Sequence, residues 1–451
     1  MRRGISMYEE IKHLIDTQQY TRVREIMNDM NPVDTAQLIE TFPEAERIKV
    51  FRLLPKSLAA DVFSYLTLEA EQDIITRLTE KEAGNILDSL YADDASDLLD
   101  EMPANVVKRL LAHTTPETRR DINHLLQYPD DSAGSIMTVE FVDLKEHNTV
   151  SQALHKIRLE GVDKETINTC YVLNAHRKLI GAVSLRRLLL SDPVEKIGDI
   201  MEDNVISVGT LADQEAVAHT FQKYDFTSMP VVDKENRLVG IITIDDIVDI
   251  MQQEATEDME MMSAATPADK PYMKTGVLET WKNRIPWLLL LMISSTFTSK
   301  IISSYEAALA SYVVLTTFIP MFMGTGGNAG GQASVIIIRG LSLNEITFKD
   351  TPRIIWKELR VGLLCGITLS VVNFFKLLLF DRVTIPIAFV VSLTMIMTVV
   401  MAKLIGAVLP IAAKRIGFDP AVMASPFITT IVDAMSLMIY FRVACTLLNI
   451  G

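Results

Sequence analysis

Five apolar stretches in the C-terminal part of the chain constrain its fold more than any other feature. Each is long enough to cross a bilayer as a helix, and they are predicted at 286–305, 308–338, 359–381, 384–413 and 421–448. Basic residues precede the first stretch and fill the second-to-third and fourth-to-fifth connections. The positive-inside rule therefore places these connections and the N-terminal part in the cytoplasm, and the C-terminus outside. We predict an all-α transmembrane domain of five helices over residues 276–451.

The rest of the chain is acidic. The formal net charge is −14, although the residues from 271 onward carry more Lys and Arg than Asp and Glu. Such a surface favours cations as partners and disfavours nucleic acid. The chain has no CxxC pair, and its seven histidines all precede residue 220, which disfavours zinc, copper or iron in the membrane part. No phosphate-binding loop or nucleophile–base motif stands out, so we predict no enzymatic activity.

Two different repeats organise the N-terminal part. Over residues 1–130, prolines and threonines recur near multiples of 12 residues, between short apolar runs. Each run forms one apolar helical face that must be buried by stacking, which predicts an α-helical solenoid; an irregular helical bundle is the alternative. Residues 131–250 contain two copies of a strand–turn–strand–helix pattern. In it, four residues recur 59 positions later: Val172, Leu179, Gly181 and Ser184 as Val231, Leu238, Gly240 and Thr243.

This second repeat resembles a tandem pair of α/β CBS domains. The resemblance implies an adenine nucleotide such as ATP, whose ribose would contact a Ser or Thr and an Asp three residues later. The second copy keeps this pair as Thr243 and Asp246, whereas the first copy has Ser184 followed by Arg187. A dimerising scaffold without nucleotide is the alternative.

One carboxylate is out of place in the last apolar stretch. Asp433 lies 12 residues after Ala421, or roughly 18 Å of helix rise. A carboxylate so deep in lipid needs a cation, hydrogen-bond donors or water, and its stem is too short to reach the headgroups. Ser425 is close by in the sequence. A packing residue that is protonated or hydrogen-bonded is the alternative. The long side chains of Lys376, Lys403 and Arg442 are instead expected to reach the headgroups.

A glycine-rich segment interrupts the second stretch. The sequence GTGGNAGGQ, residues 324–332, has five glycines, which favour close helix approach or an unwound turn lining a cavity. Asn328 and Gln332 are four residues apart and would share a helical face.

These motifs together resemble the MgtE-type magnesium channels and transporters. The matching segments are YPDDSAG at 128–134, the CBS pair, GGNAGGQ at 326–332 and PFITTIVD ending at Asp433. The resemblance implies a multidomain membrane protein: a helical N domain (1–130), tandem CBS domains (131–250), an acidic connecting helix (245–275) and a pore domain (276–451). It also implies a homodimer whose Asp433 selects hydrated Mg²⁺, with Asn328 and Ser425 as further candidate pore residues.

Two acidic strips indicate regulation by Mg²⁺. One includes Asp93 and Asp97, and the other follows the segment 245–260; both lack Lys and Arg, so they repel each other unless divalent cations bridge them. Bound Mg²⁺ would then hold a closed form. The family resemblance implies the same feedback, so the candidate regulatory residues are Asp93, Asp97, Glu215, Asp225, Asp246, Asp249, Glu254, Glu257 and Asp258. Solvated acidic faces are the alternative.

The sequence therefore predicts a Mg²⁺-selective channel or transporter in a bacterial inner membrane, gated shut by cytosolic Mg²⁺. Its partners would be Mg²⁺, the lipid bilayer and a second copy of the chain. Two alternatives stay open: a cation-coupled carrier or channel for another divalent such as Mn²⁺ or Co²⁺, and a membrane-anchored nucleotide sensor. Asp433 and the glycine-rich segment disfavour the nucleotide sensor, because helices that serve only as a membrane anchor require neither feature.

Overall fold

The computed structural model describes residues 2–268, 272–273, 275–423 and 425–449. The chain divides into two compact units, Met1–Met251 and Gln252–Gly451. The boundary between the units falls inside one helix, Ile244–Met262.

The first unit begins with a stack of short helices. Most begin at a Pro or Thr of the sequence repeat: Pro43, Pro55 and Pro103 precede three of them, and Thr79 caps another with its side chain. Proline suits this place because it lacks the N–H that the helix start leaves unpaired. Helices two apart in sequence pack together along much of the stack, which confirms the solenoid. The helices are α1 Arg2–Asp16, α2 Tyr20–Asp29, α3 Pro32–Thr41, α4 Glu44–Phe51, α5 Lys56–Phe63, α6 Leu68–Arg77, α7 Glu80–Leu87, α8 Ala92–Asp100, α9 Ala104–Leu111 and α10 Pro116–Leu125.

Two small sheets of identical topology follow in the same unit, which confirms the CBS-type repeat. In each sheet the first strand is parallel to the second and the second is antiparallel to the third. The register also repeats, since Val172 pairs with Gly181 and Val231 with Gly240. The elements are β1 Asp143–Lys145, α11 Val150–Glu160, β2 Thr169–Leu173, β3 Leu179–Ser184, α12 Leu185–Leu190, α13 Ile197–Ile200, β4 Val208–Gly209, α14 Gln214–Tyr224, β5 Ser228–Val232, β6 Leu238–Thr243 and α15 Ile244–Met262.

The repeated glycine has a packing reason in both copies. A Cβ on Gly181 would lie 2.5 Å from Met201 Sδ, and a Cβ on Gly240 would lie 2.6 Å from Met137 Sδ. In each copy a methionine therefore covers the middle of the last strand, where only glycine leaves room.

The acidic connecting helix is shorter than the sequence predicts. The expected segment was 245–275, but α15 ends at Met262, and Ala264 takes a left-handed φ of 54° directly after it. Residues 269–271 and 274 lie outside the described part of the chain.

The second unit contains five long helices among its described residues: α16 Val277–Ser304, α18 Ile319–Ser342, α19 Thr351–Leu379, α20 Ile385–Arg415 and α21 Ser425–Leu448. Four helical segments, including all of these except α18, are long and apolar enough to cross a membrane, as far as the chain is described. The exception, α18, has 24 residues, enough to span, but includes the polar glycine-rich segment. The prediction of five long helices is confirmed, whereas crossing by α18 is not indicated by its hydropathy.

Four of the five predicted helix starts differ from the structure. The third helix begins at Thr351 rather than at 359, and the fifth begins at Ser425 rather than at 421. The first helix begins nine residues before Pro286, which lies inside α16. The second stretch, 308–338, is not one helix: a short helix α17, Glu306–Ser311, and a 3₁₀ turn, Val313–Phe318, precede α18. The first turns of α16, residues 277–285, include Glu, Lys, Asn and Arg and so lie outside the apolar stretch, whereas apolar residues continue across the start of α18. Hydropathy alone therefore could not locate either helix start.

Glycine contacts hold the centre of this unit together. A Cβ on Gly406 of α20 would lie 2.2 Å from the carbonyl oxygen of Gly330 on α18, so the two backbones touch there. Gly362 and Gly366 of α19 approach the backbone of Val400 and Ile396 in the same way. Small residues permit this approach between helices in lipid. The glycine-rich segment therefore forms a continuous helix at a close crossing, and the expected alternative of an unwound turn is excluded.

Candidate ion-binding sites

A cavity of about 340 Å³ lies between α18 and α21 in the second unit. Its polar lining includes Asn328 and Gln332 from α18 and Thr429 and Asp433 from α21. The four-residue spacing of Asn328 and Gln332 puts both on the same wall, as predicted. Gly324, Gly327 and Gly331 form much of the remaining surface on α18.

The glycines on α18 determine how close Asp433 comes to the amide side chains. A Cβ on Gly327 would lie 2.8 Å from Thr429 Cγ2, and one on Gly326 would lie 2.7 Å from Ser436 Oγ. Larger residues at these positions would push α21 away from α18. Because glycine has no side chain, α18 and α21 approach closely enough for the amide groups of Asn328 and Gln332 to line the same cavity as the Asp433 carboxylate.

Asp433 is the strongest candidate for a cation ligand in this cavity. Its Oδ1 atom is buried and has no hydrogen-bond partner among the described residues. A buried polar atom that lacks a hydrogen-bond partner in the protein normally interacts with an ion or a water molecule. Since α21 begins at Ser425 rather than Ala421, Asp433 lies about 12 Å along the helix, and the predicted 18 Å is wrong.

The other membrane residues singled out in the sequence differ in their surroundings. Asn328 lines the cavity with Asp433, whereas the side chain of Ser425 lies outside the described residues. Lys376 is half exposed and pairs with Asp381, and Arg442 is exposed. For Lys403 the prediction of a headgroup contact is wrong, because the residue is only 6% exposed and its Nζ lies 3.5 Å from Gln332 Oε1.

A cluster of carboxyl groups lies in the first unit, where the solenoid meets the CBS pair. We call it the acidic cluster; its members are Glu71, Asp93, Asp94, Asp97, Glu140, Glu165, Asp245 and Asp246. For six of these members, the neighbouring charges that act on the carboxyl group are carboxylates. Most of the six are partly buried, whereas Asp97 is exposed. Asp93 is almost fully buried, with one carboxylate oxygen accepting a hydrogen bond from the Asp94 backbone N–H at 3.0 Å.

Burial, and then mutual repulsion, favours the protonated form of these groups. Partial burial raises the pKa of Asp94 to about 6 and the pKa of Asp246 to about 7. Burial also raises the pKa values of Glu71 and Glu165 to about 8, and that of Asp93 well above its usual range. Without cations, the unit can keep this arrangement at neutral pH only by holding protons or by tolerating repulsion.

The cluster contains only part of the predicted regulatory set. Asp93, Asp97 and Asp246 belong to it, while Asp249 is exposed on α15. Glu215 and Asp225 lie at opposite ends of α14, and Glu215 is 3.5 Å from His219. In the second unit, Asp258 accepts a hydrogen bond from Ser342 at 3.3 Å, and Glu254 and Glu257 lie on the same part of α15.

Sequence reasoning did not select five members of the cluster as ligands. Asp94 and Asp245 stand in the acidic strips and could have been chosen from them. Glu71, Glu140 and Glu165 lie far apart in sequence and carry no local signal. No three His, Cys, Asp or Glu side chains in the described part of the chain converge enough to hold a bare metal ion.

The residues predicted to bind a nucleotide lie next to the acidic cluster. Thr243 Oγ1 donates a hydrogen bond to Asp246 Oδ2 at 3.0 Å, and Asp246 is a member of the acidic cluster. In the first copy, Ser184 Oγ accepts a hydrogen bond from the Arg187 backbone N–H at 3.2 Å and caps α12. Binding of a nucleotide at Thr243 and Asp246 stays a prediction.

The raised pKa values predict a pH effect in the absence of divalent cations. A carboxyl group whose pKa is higher in the folded state stabilises that state below its unfolded pKa, and this contribution is lost as pH rises through the folded pKa. With EDTA present, we expect α8 amides of the full-length chain to exchange hydrogen at least about tenfold faster at pH 8.5 than at pH 6, after correction for intrinsic rates. The distant helix α2 is the internal control, and equal protection of α8 at both pH values would contradict the prediction.

A half-buried carboxylate beside a cavity, among long apolar helices, is an arrangement expected of an ion-transport protein. Comparison with known proteins agrees with this class. Residues 319–443 match the MgtE family, described as divalent cation transporters. Residues 30–131 match the MgtE intracellular N domain, and residues 197–253 match the CBS domain.

Full-length relatives extend the likeness over most of the chain. The magnesium transporter MgtE of Thermus thermophilus is 38% identical over 342 residues, which is 76% of each chain. MgtE of Bacillus subtilis is 37% identical over 329 residues, covering 72% of this chain and 71% of the relative. The chain belongs to the MgtE family of divalent cation transporters.

Two solved structures resemble the N-terminal part. The cytosolic domain of the Mg²⁺ channel MgtE in complex with ATP is 36% identical, with a TM-score of 0.52, and the match covers 54% of this chain and 99% of that one. The soluble part of a magnesium transporter is 31% identical, with a TM-score of 0.53, covering 56% of this chain and 99% of that one. Transporters and channels of this family are not an enzyme class.

Proposed function

We propose that this protein is a Mg²⁺ channel that takes up magnesium down its electrochemical gradient and is closed by cytosolic Mg²⁺. The observation that carries the proposal is a cavity lined by Asp433, Asn328 and Gln332. One buried carboxylate oxygen of Asp433 has no hydrogen-bond partner among the described residues. The magnesium transporters and the Mg²⁺ channel among the relatives support Mg²⁺ as the transported ion.

The donor set of the cavity suits hydrated Mg²⁺. Mg²⁺ is a hard ion that prefers oxygen ligands and dehydrates reluctantly. A carboxylate and neighbouring amide groups can hold its water shell without forming a tight cage, so the ion can leave again. In a homodimer with α21 near the twofold axis, two Asp433 carboxylates would face one ion. The pore is therefore assigned to two copies of the chain, with Asn328 and Ser425 as further contacts.

The membrane potential supplies the driving force. The free energy of a divalent cation falls by about 4.6 kcal/mol per 100 mV when it moves into a cell with a negative interior. Uptake therefore requires no pump. By the positive-inside rule, the basic residues in the connections of the second unit support an orientation with the N-terminal unit in the cytoplasm and the C-terminus outside, in a multi-pass protein of the bacterial inner membrane. The lipid bilayer is thus a partner of the second unit.

The acidic cluster is the proposed sensor. Mg²⁺ entering it would neutralise carboxylates that otherwise repel each other, and so favour the compact form of the first unit. We assign the closed pore to that compact form. The regulatory part would comprise residues 1–130 and 131–250, with the segment 245–275 connecting it to the pore domain, 276–451; ATP or another adenine nucleotide would bind the CBS pair.

Flux into liposomes tests the proposal directly. The purified full-length chain in liposomes with a trapped Mg²⁺ dye should give uptake that saturates with external Mg²⁺ and accelerates when the inside is made negative. Liposomes without protein are the control. Unitary current steps in planar bilayers would distinguish a channel from a coupled carrier, and uptake no faster than in the control would contradict the proposal.

A further inference from the structure

Lys403 is a buried cation inside the membrane unit. It lies on α20, 12 residues before the basic end of that helix at Arg415, which corresponds to about 18 Å of rise. Only 6% of the residue is exposed. A lysine with this burial does not extend to the headgroups, and a charge kept inside a membrane protein generally has a functional role.

The surroundings of Lys403 connect it to the cavity. Its Nζ donates to Gln332 Oε1 across 3.5 Å, and Gln332 is a wall residue of the cavity that contains Asp433. On the other side, Gly362 of α19 packs against the Lys403 Cβ. Among the residues that the structure describes, no carboxylate forms an ion pair with Lys403. Its charge is therefore separated from the cavity by a single neutral side chain.

This contact changes what Gln332 can do. The ammonium group of lysine can only donate hydrogen bonds, so the amide oxygen of Gln332 is the atom that faces it. That oxygen is also the one atom of the side chain able to coordinate a cation. Lys403 thus withdraws a ligand from the cavity and adds a positive charge beside it. Both effects weaken cation binding there.

We propose that Lys403, acting through Gln332, is a positioning residue that keeps Mg²⁺ binding in the Asp433 cavity weak enough for rapid release. Conduction requires a site that attracts the ion but does not retain it. Asp433 provides the attraction, and the Lys403–Gln332 pair limits it. This inference rests on the proposed function, because it assumes that Mg²⁺ passes through the cavity.

Neutralising Lys403 tests the inference with the full-length chain in liposomes. Lys403→Met keeps the length of the side chain but removes the charge, so the Mg²⁺ concentration giving half-maximal uptake should fall by about tenfold. Maximal flux should fall as well, because release becomes slow. Lys403→Arg, which keeps a permanent charge, should stay close to wild type. Lys376→Met is the matched control, since that lysine pairs with Asp381 at the surface of the same unit.

A second variant avoids any dependence on how Lys403→Met folds. Gln332→Glu keeps the side-chain size and places a carboxylate next to Lys403, so it too should lower the half-saturating Mg²⁺ concentration. Half-saturation and maximal flux unchanged in both Lys403→Met and Gln332→Glu would overturn the inference. Wild-type flux is measured first: if it is absent, the proposed function itself fails, whereas wild-type uptake with unshifted variants counts against Lys403 alone.

Discussion

Replacing Asp433 by alanine should abolish Mg²⁺ uptake while leaving the protein folded. At a separation of about 4 Å and an effective dielectric constant of about 20, two unit charges interact by about 4 kcal/mol, and Mg²⁺ carries two charges. Loss of this attraction should lower flux by roughly a hundredfold or more. Liposome uptake measures the effect, and size-exclusion chromatography in detergent reports whether the variant stays folded and keeps the wild-type assembly.

Two further substitutions separate charge from shape. Asp433→Asn keeps the size of the side chain and should lose most of the flux, because an amide oxygen lacks the net charge. Asp381→Asn removes an acid that pairs with Lys376 at the surface of the same unit and should transport normally. Wild-type flux in Asp433→Ala would refute the assignment of the cavity to the pore.

Neutralising the acidic cluster should leave the channel open at Mg²⁺ concentrations that close the wild type. Asp94→Asn, Asp97→Asn and Asp246→Asn together remove three carboxylates of the acidic cluster, which are the groups proposed to bind Mg²⁺ in the compact form. Without these carboxylates, Mg²⁺ binds the compact form less tightly and therefore no longer shifts the population toward that form. The Mg²⁺ concentration that halves the current from the cytoplasmic side should rise by about tenfold or more.

Three exposed acids outside the cluster provide the matched control. Asp29, Asp203 and Glu235 are exposed on the first unit, and changing them to the corresponding amides removes the same net charge. This control should close at the wild-type Mg²⁺ concentration. If the cluster variant also closes there, the acidic cluster is not the sensor and the solvated-face alternative gains support.

Local sequence signals predicted much of the fold. The spacing of Pro43, Pro55 and Pro103 predicted a series of short helices, because proline disfavours a helix interior and so separates one apolar run from the next. The 59-residue offset between Gly181 and Gly240 predicted two equivalent sheets, because each copy has the same internal pattern. Hydropathy located helix starts less exactly. It missed the turns of α16 before Pro286 because those turns are polar, and it missed the break before Ile319 because apolar residues continue there regardless of backbone conformation.

The candidate sites depended more on tertiary contacts. Asp433 stood out in the sequence because a charge within an apolar run is rare. Nothing in the sequence indicated that Gln332 is the hydrogen-bond partner of Lys403, because the two residues are 71 positions apart. Likewise, Glu71 and Glu165 join Asp246 only after the solenoid and the CBS pair pack together.

The sequence by itself determined the order of the domains, the two repeats and the residue types available for holding a cation, because these follow from composition and short-range periodicity. Only the tertiary structure decided which carboxylates meet and which lysine is buried. Such groupings depend on helix packing between distant segments, and a side chain's exposure and charge partners are properties of that packing rather than of its neighbours along the chain.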